Sequence, residues 1–323
     1  MDRISRVAVA GGELVVHELG VPPPDVPEPV GEESAPIVLA VHGITANAMS
    51  WRPVERELRR RTGVWGVRFL AVDVRGRACS RSLGPPYGLL VDADDVLTVA
   101  RAHPGAPLVV VGHSMGAYVA ALAAAAEPGL VSRVVLVDGG LAFPTPPGLD
   151  LDDALAALLG PSLQRLGMRF ADEDAYLQFW QSHPAMGPLL SGSTAEEVRA
   201  YLLHDLIPAE DGSGQLGSSC VREAIRSDGA GLLDDPETHA AVAVAAGRGV
   251  RLELLWAARG LMDEPQGIYD EARLAALGIP PPVRTTAVPD SNHFSILLHH
   301  RGVTAVVDAL ERAIELPERT GPW

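Results

Sequence analysis

Gly112-His113-Ser114-Met115-Gly116 is the stretch that decides the interpretation of this chain, because of the segments on either side of it. Before it runs the valine-rich segment 107–111, which is typical of a buried parallel strand. After it runs the alanine-rich segment 117–126, which favours a helix and is stopped by Pro128-Gly129. A serine between glycines at a strand-to-helix turn is predicted to occupy a strained bend that exposes its hydroxyl. Glycine is needed on both sides because larger side chains would collide where the helix closes on the strand.

Seven other apolar segments of strand length occur along the chain. The first two flank Gly11-Gly12 and predict a hairpin. The others alternate with helical patterns, and this alternation predicts an α/β fold with a mostly parallel, doubly wound sheet. The eight predicted strands are 4–10, 13–18, 36–41, 67–72, 107–111, 131–137, 250–256 and 283–288, and the last helix is predicted for 295–314.

The alternation stops between Leu141 and about Gly247. Only helical patterns are found there, interrupted by several prolines. We therefore predict that residues 1–140 and 248–323 form the core, and that residues 141–247 form a helical cap over the carboxyl edge of the sheet.

Composition narrows the class of protein. The chain has 323 residues, 47% of them hydrophobic, and a net charge of -15, which argues against a nucleic-acid partner. Its two cysteines indicate a reducing compartment and offer no ligand cluster for a metal. The N-terminus lacks the apolar region of a signal peptide, and no apolar run reaches membrane-spanning length. We expect a cytoplasmic protein that acts on a small molecule without a membrane partner; the sequence does not indicate its oligomeric state.

Four motifs together resemble the α/β-hydrolase superfamily, in its capped serine hydrolase branch. They are His42-Gly43, Asp73-Val74-Arg75-Gly76, Gly112-His113-Ser114-Met115-Gly116 and Asp290-Ser291-Asn292-His293-Phe294. The resemblance implies an eight-stranded sheet with an inserted cap. It does not extend to haloalkane dehalogenases or epoxide hydrolases, because those enzymes use an aspartate nucleophile where this chain has Ser114.

The resemblance also implies a catalytic role for several positions. Ser114 is the expected nucleophile, and His293, which follows the last strand, is the expected base. The two backbone N–H donors of the oxyanion hole are expected at Met115 and at Ile44, which follows His42-Gly43. His42 itself resembles the family's structural histidine, whereas His113 occupies the variable position of the motif.

The acid that orients His293 has two candidates. The commoner family position follows the strand 250–256, but counting from the strand places Gly260 there, and Asp263 comes three residues later. Asp138 ends the preceding strand, which is the acid position of some haloalkane dehalogenases and of zearalenone-type lactone hydrolases. We favour Asp138 and keep Asp263 as the alternative. Without a catalytic role, Asp138 would be a turn residue before two glycines and Asp263 a loop cap.

The substrate is predicted to be a medium-sized, largely apolar ester or lactone, enclosed by the cap. Its cleavage through an acyl-enzyme needs no cofactor beyond water, and no metal-ligand spacing is found. Alternatives are cleavage of a C–C bond beside a ketone by the same triad, or ligand binding on a hydrolase scaffold. Aromatic residues predicted to line the pocket are Trp51, Phe143, Tyr176, Trp180 and Phe294.

Overall fold

The computed structural model describes residues 2–23, 25–26, 35–142 and 150–315. Eight strands form one sheet: β1 (Arg3–Val9), β2 (Gly12–Leu19), β3 (Ile37–Val41), β4 (Arg68–Asp73), β5 (Leu108–His113), β6 (Arg133–Val137), β9 (Arg251–Ala257) and β10 (Arg284–Val288). Their order in the sheet is β1-β2-β4-β3-β5-β6-β9-β10, which confirms the predicted α/β fold. Two further strands, β7 (Leu206–Pro208) and β8 (Leu216–Ser218), lie in the insertion.

All pairs in this sheet are parallel except β1 with β2 and β2 with β4. β3 and β5 are neighbours in register, with Val41 opposite Gly112. The carboxyl ends of β3, β4, β5, β6 and β9 therefore meet at one edge of the sheet, where ligands of such folds bind. The central strands are almost fully buried, because helices cover both faces.

The helices divide between the two faces and the insertion. Their bounds are α1 (Arg52–Thr62), α2 (Leu89–Arg101), α3 (Met115–Ala126), α4 (Leu151–Leu159), α5 (Pro161–Gln164), α6 (Glu173–Gln181), α7 (Ala195–Leu203), α8 (Arg222–Asp234), α9 (Pro236–Gly247), α10 (Glu271–Leu277), α11 (Ser295–Leu298) and α12 (His300–Ile314). α2, α3, α8 and α9 contribute to the apolar core on one face, and α1 and α12 to the core on the other. Short 3₁₀ helices occur at Ala48–Trp51, Ala78–Ser80, Arg165–Gly167 and Gly187–Ser191. No helix of the described residues is both long and apolar enough to cross a membrane.

The insertion differs from the sequence prediction in one respect. The segment 141–247 was expected to contain helices only, but β7 and β8 form a small antiparallel sheet there. Each strand has only three residues, too few to give a recognisable alternation of apolar and polar side chains. α9, the last helix of this segment, packs against α3 beside the main sheet.

The final helix is interrupted, which also corrects the prediction of one helix over 295–314. His299 adopts an extended conformation, with φ -118° and ψ 143°, and separates α11 from α12. Gly302 packs against the backbone of Ile296, where an added Cβ would lie 2.4 Å from its carbonyl oxygen. The break therefore lets the short helix α11 fold back beside the start of α12, directly after His293.

Candidate active site

Ser114 lies in the sharp turn between β5 and α3. Its backbone has φ 55° and ψ -121°, a region that a residue with a side chain rarely adopts and that costs about 1–3 kcal/mol. A Cβ on Gly112 would lie 2.0 Å from the carbonyl oxygen of Gly116, and one on Gly116 would lie 2.1 Å from that of Val41. The two glycines thus let strand and helix approach closely enough to hold the serine in this conformation.

His293 and Asp138 meet at the carboxyl edge of the sheet. His293 Nδ1 lies 2.7 Å from Asp138 Oδ2, and both side chains are buried. The other carboxylate oxygen, Oδ1, accepts a hydrogen bond of 3.0 Å from the amide of Ala257. Asp138 is thereby fixed between the ring of His293 and the end of β9, and the geometry requires that Nδ1 carries the proton of the neutral imidazole.

The turn after β6 holds Asp138 in place through residues that the sequence reasoning missed. Tyr118, on α3, donates its hydroxyl to the carbonyl of Leu141. The hydroxyl of Tyr269 accepts from the amide of Leu141 at 3.1 Å. A Cβ on Gly139 would lie 2.2 Å from the carbonyl oxygen of Ser114, so the turn packs directly on the serine bend. Sequence spacing did not indicate that the hydroxyls of Tyr118 and Tyr269 are buried beside this turn.

Asp263, the alternative acid, lies beside the segment that carries His293 but makes no described hydrogen bond to its ring. Its carboxylate accepts two hydrogen bonds from Arg259, at 2.8 and 2.9 Å, and one of 3.0 Å from Nδ2 of Asn292. The Arg259 hydrogen bonds lower the pKa of Asp263. Asp263 therefore contacts the residue before His293, whereas Asp138 contacts the imidazole.

Two further histidines brace this edge of the sheet. His113 donates from Nε2 to the carbonyl oxygen of His293 at 2.9 Å, and the two rings lie 4.6 Å apart. His42 donates from Nδ1 to Gly43 and accepts from the amide of Val74 at Nε2. Burial holds the pKa of His113 well below its usual range and lowers the pKa of His42 to about 4, so both are neutral at pH 7. The position interpreted as variable, His113, therefore holds the backbone of His293.

The two amides expected in the oxyanion hole lie at the starts of neighbouring segments. Ile44 follows Gly43 after β3, and Met115 is the first residue of α3. None of the described residues accepts a hydrogen bond from either amide. A helix N-terminus leaves its first N–H groups without an intrahelical acceptor, and such groups favour negative charge.

A mostly apolar cavity of about 40 Å³ lies beside Ser114 and His293. Described residues of the core and of the cap line it: Gly43, Ile44, Thr45, Ala46, Ser50, His113, Ser114, Leu159, Ser162, Tyr201, Leu261, His293, Phe294, Leu297 and Leu298. This volume holds only a few water molecules, at about 10–15 Å³ each. Residues of the cap and of the core thus both contact the cavity beside Ser114.

The predicted pocket aromatics mostly lie elsewhere. Phe294 lines the cavity, whereas Phe143 lies outside the described residues. Trp51, Tyr176 and Trp180 are absent from the described lining, which corrects their assignment. Trp51 packs near Phe69 in the core, and Tyr176 and Trp180 belong to the cap's own aromatic cluster. Helical spacing does not distinguish a ring that faces a ligand from one that faces its neighbours.

Potential metal ligands converge at a separate place. In the part of the chain that the structure describes, the group able to hold a metal ion is His17, Asp73, Cys79 and His204. None of these four residues is among the described lining of the cavity beside Ser114.

Comparison with known proteins agrees with this architecture. The protein-family model of the alpha/beta hydrolase fold matches residues 36–300 of this sequence. A 2-(acetamidomethylene)succinate hydrolase from Mesorhizobium japonicum is 35% identical over 105 residues, which are 32% of this chain and 36% of that protein. A serine hydrolase-like protein from Dictyostelium discoideum is 34% identical over 110 residues, 33% of this chain and 29% of that protein. The match thus spans about a third of the length of these curated relatives.

Solved structures resemble nearly the whole chain at low identity. The crystal structure of E-2-(acetamidomethylene)succinate hydrolase superposes with a TM-score of 0.69 and 22% identity, covering 98% of this chain and 100% of that one. A thioesterase domain from the curacin biosynthetic pathway gives a TM-score of 0.67 and 19% identity, with 96% and 99% covered. At these identities the likeness concerns the fold. Together with the family match over most of the sequence, it shows that this chain belongs to the alpha/beta hydrolase fold family.

Proposed function

We propose that this protein is a serine hydrolase that cleaves a carboxylic ester or lactone through an acyl-enzyme. The observation that carries the proposal is the contact of 2.7 Å between His293 Nδ1 and the buried carboxylate of Asp138, with His293 and Ser114 lining one cavity. This is the arrangement by which an acid fixes the tautomer of a histidine that serves as general base.

In the acylation step, Ser114 Oγ attacks the substrate carbonyl carbon while Nε2 of His293 takes the hydroxyl proton. Nε2 is free to accept it because Nδ1 holds its own proton toward Asp138. The negative charge that develops on the carbonyl oxygen is stabilised by the amides of Ile44 and Met115. The C–O bond to the alcohol then breaks, and the leaving oxygen takes the proton from His293.

In the deacylation step, His293 removes a proton from water, and the resulting hydroxide attacks the acyl carbon. The ester bond to Ser114 breaks, and the proton returns from His293 to Ser114 Oγ. The carboxylic acid is released and the enzyme is restored without a cofactor. Asp138 stabilises the imidazolium formed in each half of the cycle.

The cavity supports a neutral, apolar acyl group. Its described lining contains no arginine, and the chain has no lysine. Arg165, the buried cation of the cap, is occupied: its Nη2 lies 3.2 Å from Asp205 and donates to the carbonyl of Thr45 at 2.6 Å. A carboxylate on the acyl group would lose its hydration without gaining a cation, which is costly. We therefore propose a substrate different from the acidic compound named for the Mesorhizobium relative.

The small volume of the cavity sets the preferred acyl length. A cavity of about 40 Å³ beside Ser114 favours a short acyl group in the proposed binding mode. A medium-sized substrate accordingly places its alcohol portion toward the cap. Among p-nitrophenyl esters, we expect kcat/KM to be about 10-fold higher for acetate and butyrate than for octanoate, because overpacking costs about 1–3 kcal/mol.

The test combines turnover with covalent labelling. Wild type should hydrolyse the short esters and gain one fluorophosphonate adduct on Ser114. Ser114→Ala should show no adduct and at least about 10⁴-fold lower kcat, with an unchanged melting temperature. Equal labelling of Ser114→Ala, or failure of folded wild type to label or turn over any of these esters, would refute the proposal.

A further inference from the structure

Four side chains with metal-ligand chemistry converge where the cap meets the edge of the sheet. His17 lies on β2, and Asp73 ends β4. Cys79 is in the short 3₁₀ helix Ala78–Ser80, and His204 follows the last residue of α7 in the cap. The fold thus brings together four residues that are distant in sequence, and no short sequence motif contains all four of them.

Their ligand atoms are mutually close. Asp73 Oδ2 lies 2.9 Å from Nε2 of His17 and 3.2 Å from Nε2 of His204. Cys79 Sγ lies 3.9 Å from Nε2 of His204. One ligand atom from each of the four residues lies within 4.8 Å of all the others.

We propose that His17, Asp73, Cys79 and His204 form a binding site for a divalent transition-metal ion of the zinc type. Two imidazole nitrogens, one thiolate and one carboxylate are ligands that zinc accepts in tetrahedral sites. The mixture of sulfur and nitrogen disfavours calcium and magnesium, which prefer oxygen ligands. The class of ion therefore follows from the ligand set.

The spacing nearly fits a tetrahedral shell. With zinc–nitrogen and zinc–oxygen bonds of about 2.0–2.2 Å and a zinc–sulfur bond of about 2.3 Å, the ligand atoms lie about 3.3–3.8 Å apart. The observed separations bracket this range, so shifts of about 1 Å complete the shell. The metal would replace the protons now shared between the imidazoles and Asp73, and these protons and that of the thiol would pass to solvent.

Access to the four side chains also suits a metal. Cys79 is exposed at the rim, whereas Asp73 is fully buried, so an ion can enter past the sulfur and meet the carboxylate below. Asp73 is further oriented by the amides of Ala48 and Cys79.

Metal binding at this place would join the cap to the core. His204 directly follows α7, the helix that carries Tyr201, and Tyr201 lines the cavity beside Ser114. The carbonyl of Tyr201 also accepts a hydrogen bond of 3.0 Å from Asn47, which lies just after the oxyanion segment. A bound ion therefore stabilises the contact between cap and core, independently of any role of Ser114.

Cobalt is the most informative probe, since a cobalt–thiolate bond gives a charge-transfer absorption in the near ultraviolet. Protein without a histidine tag is titrated with Co²⁺ at about pH 8, where protons compete less for the ligands. We expect this band to saturate at one equivalent and to disappear when Zn²⁺ displaces the cobalt. Zn²⁺ should also raise the melting temperature by several degrees, because it binds the folded state alone.

The two cysteines provide a matched pair of variants. Cys79→Ser should abolish the cobalt band, whereas Cys220→Ser should keep it. His204→Gln should weaken binding at least about 10-fold, and His300→Gln, in an exposed histidine pair outside the cluster, should not. Ser114→Ala should bind cobalt like wild type, which separates this site from the proposed hydrolase activity.

Absence of a band in folded wild type, or its survival in Cys79→Ser, would overturn the proposal. The cysteine pair decides the matter even if His204→Gln does not fold, because Cys79 is exposed and its replacement leaves the core intact.

Discussion

The turns that follow β6 and β9 each place an aspartate beside the segment that carries His293, yet the two carboxylates have different surroundings. Both aspartates have positive φ, 47° for Asp138 and 64° for Asp263. Asp138 is fully buried and contacts the imidazole. Asp263 is partly exposed and contacts Arg259 and Asn292.

The different surroundings of the two carboxylates show that a position at the end of a strand is not enough to make an aspartate the acid of a triad. A carboxylate that is already paired with a guanidinium has less of its charge available for an imidazolium. Asp138 instead receives one amide hydrogen bond and directs its other oxygen at His293. In the proposed mechanism, the buried aspartate orients the base and the paired one supports the loop before it.

The largest effect is expected when the buried carboxylate is removed. Asp138→Asn should lower kcat for p-nitrophenyl butyrate by about 10⁴-fold, because His293 can adopt the wrong tautomer and its imidazolium is unpaired. Thermal melting and circular dichroism should show that the variant is folded. A loss below about 10-fold in the folded variant would exclude Asp138 as the acid.

An intermediate effect is expected for the residue that links the two regions. Asn292 Oδ1 accepts from the amides of Phe294 and Ser295, at 3.0 and 2.8 Å, and its Nδ2 donates to Asp263. Asn292→Ala should cost about 1 kcal/mol of stability, because two amides lose their side-chain acceptor, and should lower kcat about 10-fold by loosening the loop. Steady-state kinetics and urea unfolding measure the two effects, and an unaltered kcat would show that the loop does not position His293.

A small effect is expected at the exposed aspartate. Asp263→Asn should keep kcat/KM within about threefold of wild type, since the imidazole contact remains in place. Arg259→Gln is the matched control, because it removes the partner of Asp263 and leaves the carboxylate. If Asp263→Asn reduced turnover by as much as Asp138→Asn, the distinction between the turns would fail.

The smallest effect concerns stability and its pH dependence. Since Arg259 lowers the pKa of Asp263 below its ordinary value of 3.8, the pair stabilises the fold above that pH, and the contribution is lost as the pH falls below it. The pair is about a third exposed, so Asp263→Asn should cost less than about 1 kcal/mol at pH 7. Urea unfolding of both proteins between pH 7 and pH 3 should show this gap closing in acid; a gap that widens would contradict the assignment.

Much of the fold was readable from local patterns. Runs such as 107–111 and 131–137 are β-branched and apolar because their strands are buried on both faces, and this is visible without knowledge of their neighbours. The family resemblance carried by the four motifs is confirmed by the family match over residues 36–300. The roles of Ser114, His293, Asp138, Ile44 and Met115 stay predictions that the proposed function rests on.

Features set by tertiary contacts were not readable in the same way. The choice between Asp138 and Asp263 stayed open because motif spacing does not give the path of a loop or the pairing of Asp263 with Arg259. The break at His299 depends on Gly302 packing against Ile296, a contact that helical periodicity does not reveal. The cluster of His17, Asp73, Cys79 and His204 joins four separate segments, so spacing rules for metal ligands did not detect it.

The hydrogen bond between His293 and Asp138 is open to direct observation by NMR of protein with ¹⁵N-labelled histidine. A ring N–H proton held by a buried carboxylate resonates far downfield, and wild type should show this signal for Nδ1 of His293. We expect it to disappear in Asp138→Asn and to persist in Asp263→Asn. The Nδ1 proton of His42 is hydrogen-bonded to the carbonyl oxygen of Gly43, and its signal should show in both variants that the fold is intact. Persistence of the His293 signal in Asp138→Asn, or its loss in Asp263→Asn alone, would contradict the account.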